Sequence, residues 1–340
     1  MEKIWLKSYP PGVPAEISID HVSSLVALFE EACQKYADKM AYVSMGREMT
    51  YRELDNLSRD FAGWLQAQGF KKGDRVAVMV PNFFAFPIAL LGIARAGAVQ
   101  VNVNPMYTPR ELEHQLNDAG VQAVVIFSGV SATLAEIIGK TSVTTVLTVA
   151  PGDGSAAKLP SPPVDARLTQ AKPFADALTE GAALPFVAPA IQGDDLLFLQ
   201  YTGGTTGVSK GAALSHRNLV ANVQQFKAFM PEALRPGQEV IVTAIPLYHI
   251  FALMVNFITY FSVGANSWLV PNPRDFDAFI DVMKASRCSV FMGVNTLYAG
   301  LVAHPRTKEV DFSNLRLAGG GGAAIIEAVS AKWLALTGTF

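Results

Sequence analysis

The residues best equipped for chemistry lie together in Tyr201-Thr202-Gly203-Gly204-Thr205-Thr206-Gly207-Val208-Ser209-Lys210-Gly211. Glycine admits positive φ and lets bare backbone N–H groups approach an anion. The hydroxyls of Thr202, Thr205, Thr206 and Ser209 can donate to phosphate oxygens or ligate Mg²⁺, and Lys210 adds positive charge. Such a stretch suits the phosphates of a nucleoside triphosphate. The plainer reading is a flexible hairpin tip rich in small polar residues.

The stretch is not a Walker A loop, because Ser209 precedes the lysine and Gly211 follows it. Its flanks differ as well. An apolar run at 196–199 leads in, and Gly211-Ala212-Ala213-Leu214 leads out to Ser215, a good N-cap for a helix over 216–229. The loop is therefore expected to join two strands, exposed at the mouth of a cleft.

The elements that must hold it follow from the apolar pattern. Strands are expected at 76–80, 99–103, 121–127 and 144–149. Helices fall between them, one capped by Asn82 and running to about Gly97, another opened by Pro109 and ending near Gly120. This alternation predicts an α/β fold with mostly parallel sheets. Residues 151–190 carry seven prolines and read as a surface connection with a short helix around 174–178. No Asp, Glu, Lys or Arg occurs between Glu239 and Arg274, but Pro246, Asn256, Gly264 and Asn266 interrupt that stretch. A strand, a loop, a buried helix over 250–261 and a strand at 267–270 account for it better than a membrane span.

Two further stretches are candidate site residues. His249 follows a strand expected to end near Ile245 and sits between Tyr248 and Ile250; the residues alone leave a structural histidine equally open. Gly319-Gly320-Gly321-Gly322 joins an expected strand at 315–318 to an expected helix at 323–336. Glu111 and His114 are three apart on a helix without an H-E-x-x-H pattern, so a solvated helical face suffices for them.

Half of the 340 residues are apolar and only 16% are charged, so much of the chain must be buried. A formal charge of −2 gives no footprint for nucleic acid. Cys33 and Cys288 cannot build a disulfide framework or a zinc site, which suits a cytoplasmic protein, and the first residues lack a signal-peptide core.

The motifs together resemble the acyl-adenylate-forming superfamily, and within it the bacterial long-chain fatty-acid–CoA ligases. The resemblance rests on the 201–211 stretch, on Met49-Thr50-Tyr51-Arg52-Glu53-Leu54, and on the run from Gly73-Asp74-Arg75-Val76 to Asn104-Pro105. It rests also on Tyr107-Thr108-Pro109-Arg110-Glu111-Leu112, Pro246-Leu247-Tyr248-His249-Ile250-Phe251, Gly293-Val294-Asn295-Thr296-Leu297 and Gly319-Gly320-Gly321-Gly322-Ala323. It implies a large N-terminal adenylation domain with two mostly parallel sheets flanked by helices, layered α/β/α/β/α. Approximate subdomains would be 73–237, carrying the nucleotide loop, and 20–72 with 238–340, carrying the acyl pocket. The family's Y-G-x-T-E motif and small C-terminal domain are expected beyond Phe340, which would leave this chain alone incompetent for turnover.

The resemblance implies activation of a long-chain fatty acid with ATP and Mg²⁺ to acyl-AMP, then transfer to CoA. Thr202, Gly203, Gly204, Thr205, Thr206, Gly207, Ser209 and Lys210 would hold the phosphates, with Thr202 also toward the metal. Gly320, Gly321, Gly322 and Ala323 would lie against adenine. His249, Lys210 and Thr202 would be catalytic, and Tyr248, His249, Ile250, Gly293, Val294 and Asn295 would bound the acyl site. A medium-chain or aromatic acid as substrate, an enzyme stopping at acyl-AMP, and a fragment that only binds remain as alternatives. Peripheral contact with the inner membrane and a homodimer are left open.

Overall fold

The computed structural model describes residues 3–19, 22–156, 158–202 and 209–339. In chain order the strands are β1 (Met40–Ser44), β2 (Arg47–Thr50), β3 (Arg75–Met79), β4 (Val99–Asn102), β5 (Ala123–Phe127), β6 (Thr145–Val149) and β7 (Lys172–Pro173). They continue with β8 (Leu196–Thr202), β9 (Lys210–Ser215), β10 (Val240–Thr243), β11 (Asn266–Leu269), β12 (Val290–Gly293) and β13 (Leu317–Gly320). The helices are α1 (Leu25–Lys35), α2 (Tyr51–Ala67), α3 (Ala85–Arg95), α4 (Pro109–Asp118), α5 (Ser131–Ala135) and α6 (Phe174–Gly181). After them come α7 (His216–Phe229), α8 (Ile250–Ala252), α9 (Phe276–Ser286), α10 (Asn295–Ala303) and α11 (Glu327–Thr337).

Among the described residues the strands form two sheets. The larger runs β7-β6-β5-β3-β4-β8-β9 and the smaller β13-β12-β10-β11-β1-β2. Each is parallel except for one antiparallel edge pair, β8/β9 in the larger and β1/β2 in the smaller. The fold is thus α/β with two mostly parallel sheets flanked by helices. Period-two alternation sorts the side chains: Val76 and Val78 of β3 enter the main core, while Ala77 and Met79 enter a second cluster with Leu112 and Leu116 of α4. Strands covered on both faces need apolar residues at every position, which is why β3 and β5 read as continuous runs. The main core joins β3 and β8 to α1, α2, the fully buried α3 and strands of the smaller sheet.

Local signals set many boundaries. Thr50 with Glu53, Thr108 with Glu111 and Ser215 with Asn218 form capping boxes that start α2, α4 and α7. Asn82 does not cap α3 as expected; the N-cap position is Phe84, without a side-chain cap, and the Asn82 carboxamide turns to the chain after β10. Within 151–190 the chain adds the edge strand β7 and the helix α6, whose Phe174 is buried against Phe61. The charge-free stretch gives β10, a loop, α8, and then a π-helix at Leu253–Thr259 before β11. No helix among the described residues is long and apolar enough to cross a membrane.

Candidate active site

The glycine- and threonine-rich stretch is carried by the β8/β9 hairpin. Gly203, Gly204, Thr205, Thr206, Gly207 and Val208 lie outside the described residues. Their two ends are fixed by cross-strand pairing of Thr202 with Lys210 and of Tyr201 with Gly211. Thr202 and Lys210 are exposed and Ser209 is half-buried. The sequence places 201–211 in a loop, but the strands reach inward to Thr202 and from Lys210, because the ladder continues that far.

Helix α4 grips the base of this hairpin. His114 Nε2 lies 3.0 Å from the Ser209 carbonyl, and the Tyr201 hydroxyl donates to the Asp118 carboxylate. His114 is therefore no free solvated face, as the sequence suggests. The signal that points to it is its spacing, with Asp118 one helical turn further along the same face.

His249 stands on the irregular link between β10 and α8. It caps α8: the Phe251 N–H donates to His249 Nδ1 at 3.3 Å. A neutral imidazole that accepts at Nδ1 carries its proton on Nε2. Although part of the ring is exposed, surrounding protein pulls its pKa below the ordinary imidazole value, which favours that neutral form. The ring thus offers one N–H donor. Burial raises the Tyr248 phenol, with Tyr107 adding to the rise and Arg274 opposing it, so the phenol stays protonated.

Tyr248 and His249 line a cavity of about 640 Å³ with Pro246, Phe276, Val294, Leu297, Gly322 and Ala323, and with Arg274 as its charged lining residue. The structure thereby gathers Tyr248, His249, Val294, Gly322 and Ala323 around one space. Ile250, Gly293 and Asn295 do not line it. Ile250 packs toward the core, and Gly293 is a buried member of β12 paired with Gly320. Asn295 Oδ1 accepts from the Ile326 N–H at 2.9 Å, pinning the end of the glycine turn. Arg274 is a cavity-lining residue that sequence reasoning missed; it figured there only as the end of a charge-free stretch.

The glycine run also departs from expectation. Gly319 and Gly320 belong to β13, and α11 begins at Glu327 instead of Ala323. The pairing with Met292 and Gly293 prolongs the strand, and the Asn295 contact holds 321–326 out of helical register. A Cβ on Gly321 would sit 2.9 Å from the Phe251 ring, and Gly322 has φ +78°. These glycines are thus required by the chain's own packing.

The hairpin and the His249 loop are joined directly. Gln200 of β8 donates from Nε2 to the Tyr248 carbonyl at 3.1 Å. Thr202 lies on the same strand face, about 7 Å further along. As for cations, no cluster of three or more His, Cys, Asp or Glu among the described residues could hold a metal ion. A Mg²⁺ bound through nucleotide phosphates and water needs few protein ligands, and the exposed Thr202 hydroxyl fits that donor set.

A family model described as AMP-binding enzyme matches residues 29–340. The chain belongs to this family. It is 46% identical to a long-chain-fatty-acid–CoA ligase of Salmonella typhimurium, a match covering all of this chain and 63% of that protein. The chain therefore spans less than two thirds of that relative. A solved long-chain-fatty-acid-CoA ligase of Archaeoglobus fulgidus superposes with TM-score 0.79 at 24% identity, over 97% of this chain and 63% of the other. An anthranilate CoA ligase in complex with anthranoyl-AMP superposes with TM-score 0.81 at 20% identity, over 95% and 60%. At these identities the two structures bear on the fold alone.

Proposed function

We propose that this chain forms the adenylating part of an ATP-dependent acid–CoA ligase acting on long-chain fatty acids. The observation that carries the reading is the shared cavity. It sets a neutral imidazole, a phenol, Thr296 and one arginine in a largely apolar space, beside a strand that ends in the hydroxyl- and glycine-rich stretch. The identity to the Salmonella ligase favours a long acyl chain. An amino-acid substrate would call for a carboxylate against its ammonium group, and among the described residues none lines the cavity.

In this reading a carboxylate oxygen of the fatty acid attacks the α-phosphorus of ATP. The bond from that phosphorus to the bridging oxygen breaks, and pyrophosphate leaves. Two anions must be brought into contact, so the protein's task is positioning and charge compensation. Lys210 and Ser209, with the adjoining 203–207 segment, hold the phosphates, and Gly320, Gly321, Gly322 and Ala323 face the adenine. The His249 Nε2–H donates to the reacting oxygens. Mg²⁺, carried with the nucleotide and met by the Thr202 hydroxyl, supplies charge neutralisation when bound. A thiolate, that of CoA, then attacks the acyl carbon and AMP departs. The hydrophobic tail lies along Val294, Leu297 and Phe276. Contact with a lipid surface that delivers the acid is supported by Ile4 and Trp5, 64% and 50% exposed beside Lys3 and Lys7.

Pyrophosphate exchange into ATP tests this on the full-length protein and on this chain. Exchange that depends on oleate and exceeds that with benzoate is expected. Exchange with benzoate alone would move the reading to an aromatic acid, and ATP cleavage indifferent to any acid would end it.

A further inference from the structure

We propose that Asn82 and Gln200 are positioning residues for His249, acting through the backbone of the link between β10 and α8. The inference rests on the adenylation reading above and adds to it a device for holding the imidazole.

Residues 244–249 have no regular secondary structure. The His249 N–H closes a turn onto the Pro246 carbonyl at 2.9 Å and the His249 carbonyl accepts from the Leu253 N–H, but other backbone groups of the link need side-chain partners. Asn82, only 2% exposed, supplies two of them and a third bond to the last residue of β10. Its Nδ2 donates to the carbonyls of Thr243 at 3.0 Å and Ile245 at 3.1 Å, and its Oδ1 accepts from the Leu247 N–H at 2.8 Å. A single carboxamide thus ties alternate residues from the end of β10 into the link, as a neighbouring strand would. On the other side, Gln200 donates to the Tyr248 carbonyl, one residue before His249.

The Gln200 amide is itself oriented. Asn102, its register partner on β4, donates from Nδ2 to Gln200 Oε1 at 2.8 Å, and Gln100 donates to Asn102 Oδ1 at 2.6 Å. Gln115 Nε2 donates to the Asn102 carbonyl at 2.8 Å. Only an N–H can face the Tyr248 carbonyl, so the direction of this chain of amides is fixed from that end. All four amide side chains are buried. Asn82 follows β3 and Gln200 lies on β8, both of the larger sheet, whereas the link they hold belongs to the smaller one. The pair therefore sets His249 against the hairpin that carries Thr202 and Lys210. Small errors there matter, since a misplacement of about 1 Å can cost roughly 100-fold in rate.

The test uses Asn82→Asp and Gln200→Glu in the full-length protein, alone and combined with His249→Ala. Each variant keeps size and an acceptor oxygen and, at a pH where the new carboxyl group is ionised, removes the donors to the link. Oleate-dependent pyrophosphate exchange is expected to fall ten-fold or more in kcat with little change in KM for ATP. In the His249→Ala background the same changes should have almost no further effect. A second readout is free of activity: the His249 ring Cε1–H resonance, assigned with His249→Gln, should shift in both variants while that of His304 stays in place. Equal losses with and without His249, or an unmoved His249 resonance in two folded variants, would overturn the proposal. Wild-type protein without exchange would instead defeat the adenylation reading, and the resonance would still decide the positioning.

Discussion

Replacing Gly321 with alanine isolates the steric part of the glycine turn, because Gly321 has no left-handed backbone to strain. The added Cβ would lie 2.9 Å from Phe251 Cζ and 3.1 Å from both Cε atoms. Carbon atoms rest at about 3.5–4.0 Å, so the ring must retreat by roughly 0.6–1 Å. Phe251 packs against the core, and its N–H is bonded to His249. Overpacking of this kind costs about 1–3 kcal/mol. Urea unfolding of the wild type, Gly321→Ala, Phe251→Ala and the double variant measures it. In the Phe251→Ala background the glycine substitution should cost less than about 0.5 kcal/mol, giving a clear coupling energy. An equal cost in both backgrounds would refute the argument that the Phe251 ring is what excludes a side chain.

Three further outcomes are expected. His249→Ala should lower acyl-AMP formation far more than it lowers the urea midpoint; unchanged acyl-AMP formation would make the histidine structural. Arg274→Met should raise KM for the fatty acid with stability retained, measured by exchange kinetics and melting, because this charge lines the cavity. Buried His216, whose Nδ1 accepts from the Leu25 N–H, has its pKa lowered to about 4 from 6.5 by burial, with Asp195 opposing the shift and Lys72 adding to it. A lowered folded-state value favours the neutral ring, so its stabilisation is complete above pH 6.5 and is lost as pH falls toward 4. The loss is at most about 3 kcal/mol. His216→Asn should flatten stability against pH across that window, and an unchanged slope would count against it.

Much of the architecture could be read from the chain because local and global preferences agree. Central strands such as β3 from Val76 onward and β5 are apolar throughout, Ser215 caps its helix where expected, and Pro109 opens α4 as expected. The strand–loop–strand placement of the phosphate stretch followed from Ser215, since a helix starting there leaves room only for a strand before it. What escaped was long-range. The Asn82 carboxamide is a plausible cap by sequence, but its partners lie 161 to 165 residues away. Arg274 and His114 gain meaning only when loops distant in sequence close on each other. The late start of α11 has the same origin, for strand pairing and the Asn295 contact outweigh the helical pattern of 323–326. No local period encodes the π-helix, whose buried Asn256 reaches Thr243 Oγ1 at 3.4 Å.

The central claim is that a fatty-acid carboxylate is joined to the α-phosphorus of ATP at the His249 cavity. Oleate labelled with heavy oxygen in both carboxylate positions tests it most directly, with full-length protein, ATP, Mg²⁺ and CoA, and the nucleotide product analysed by mass. The account predicts AMP carrying one heavy oxygen, with the label transfer lost in His249→Ala. Unlabelled AMP, or ADP in its place, would contradict it.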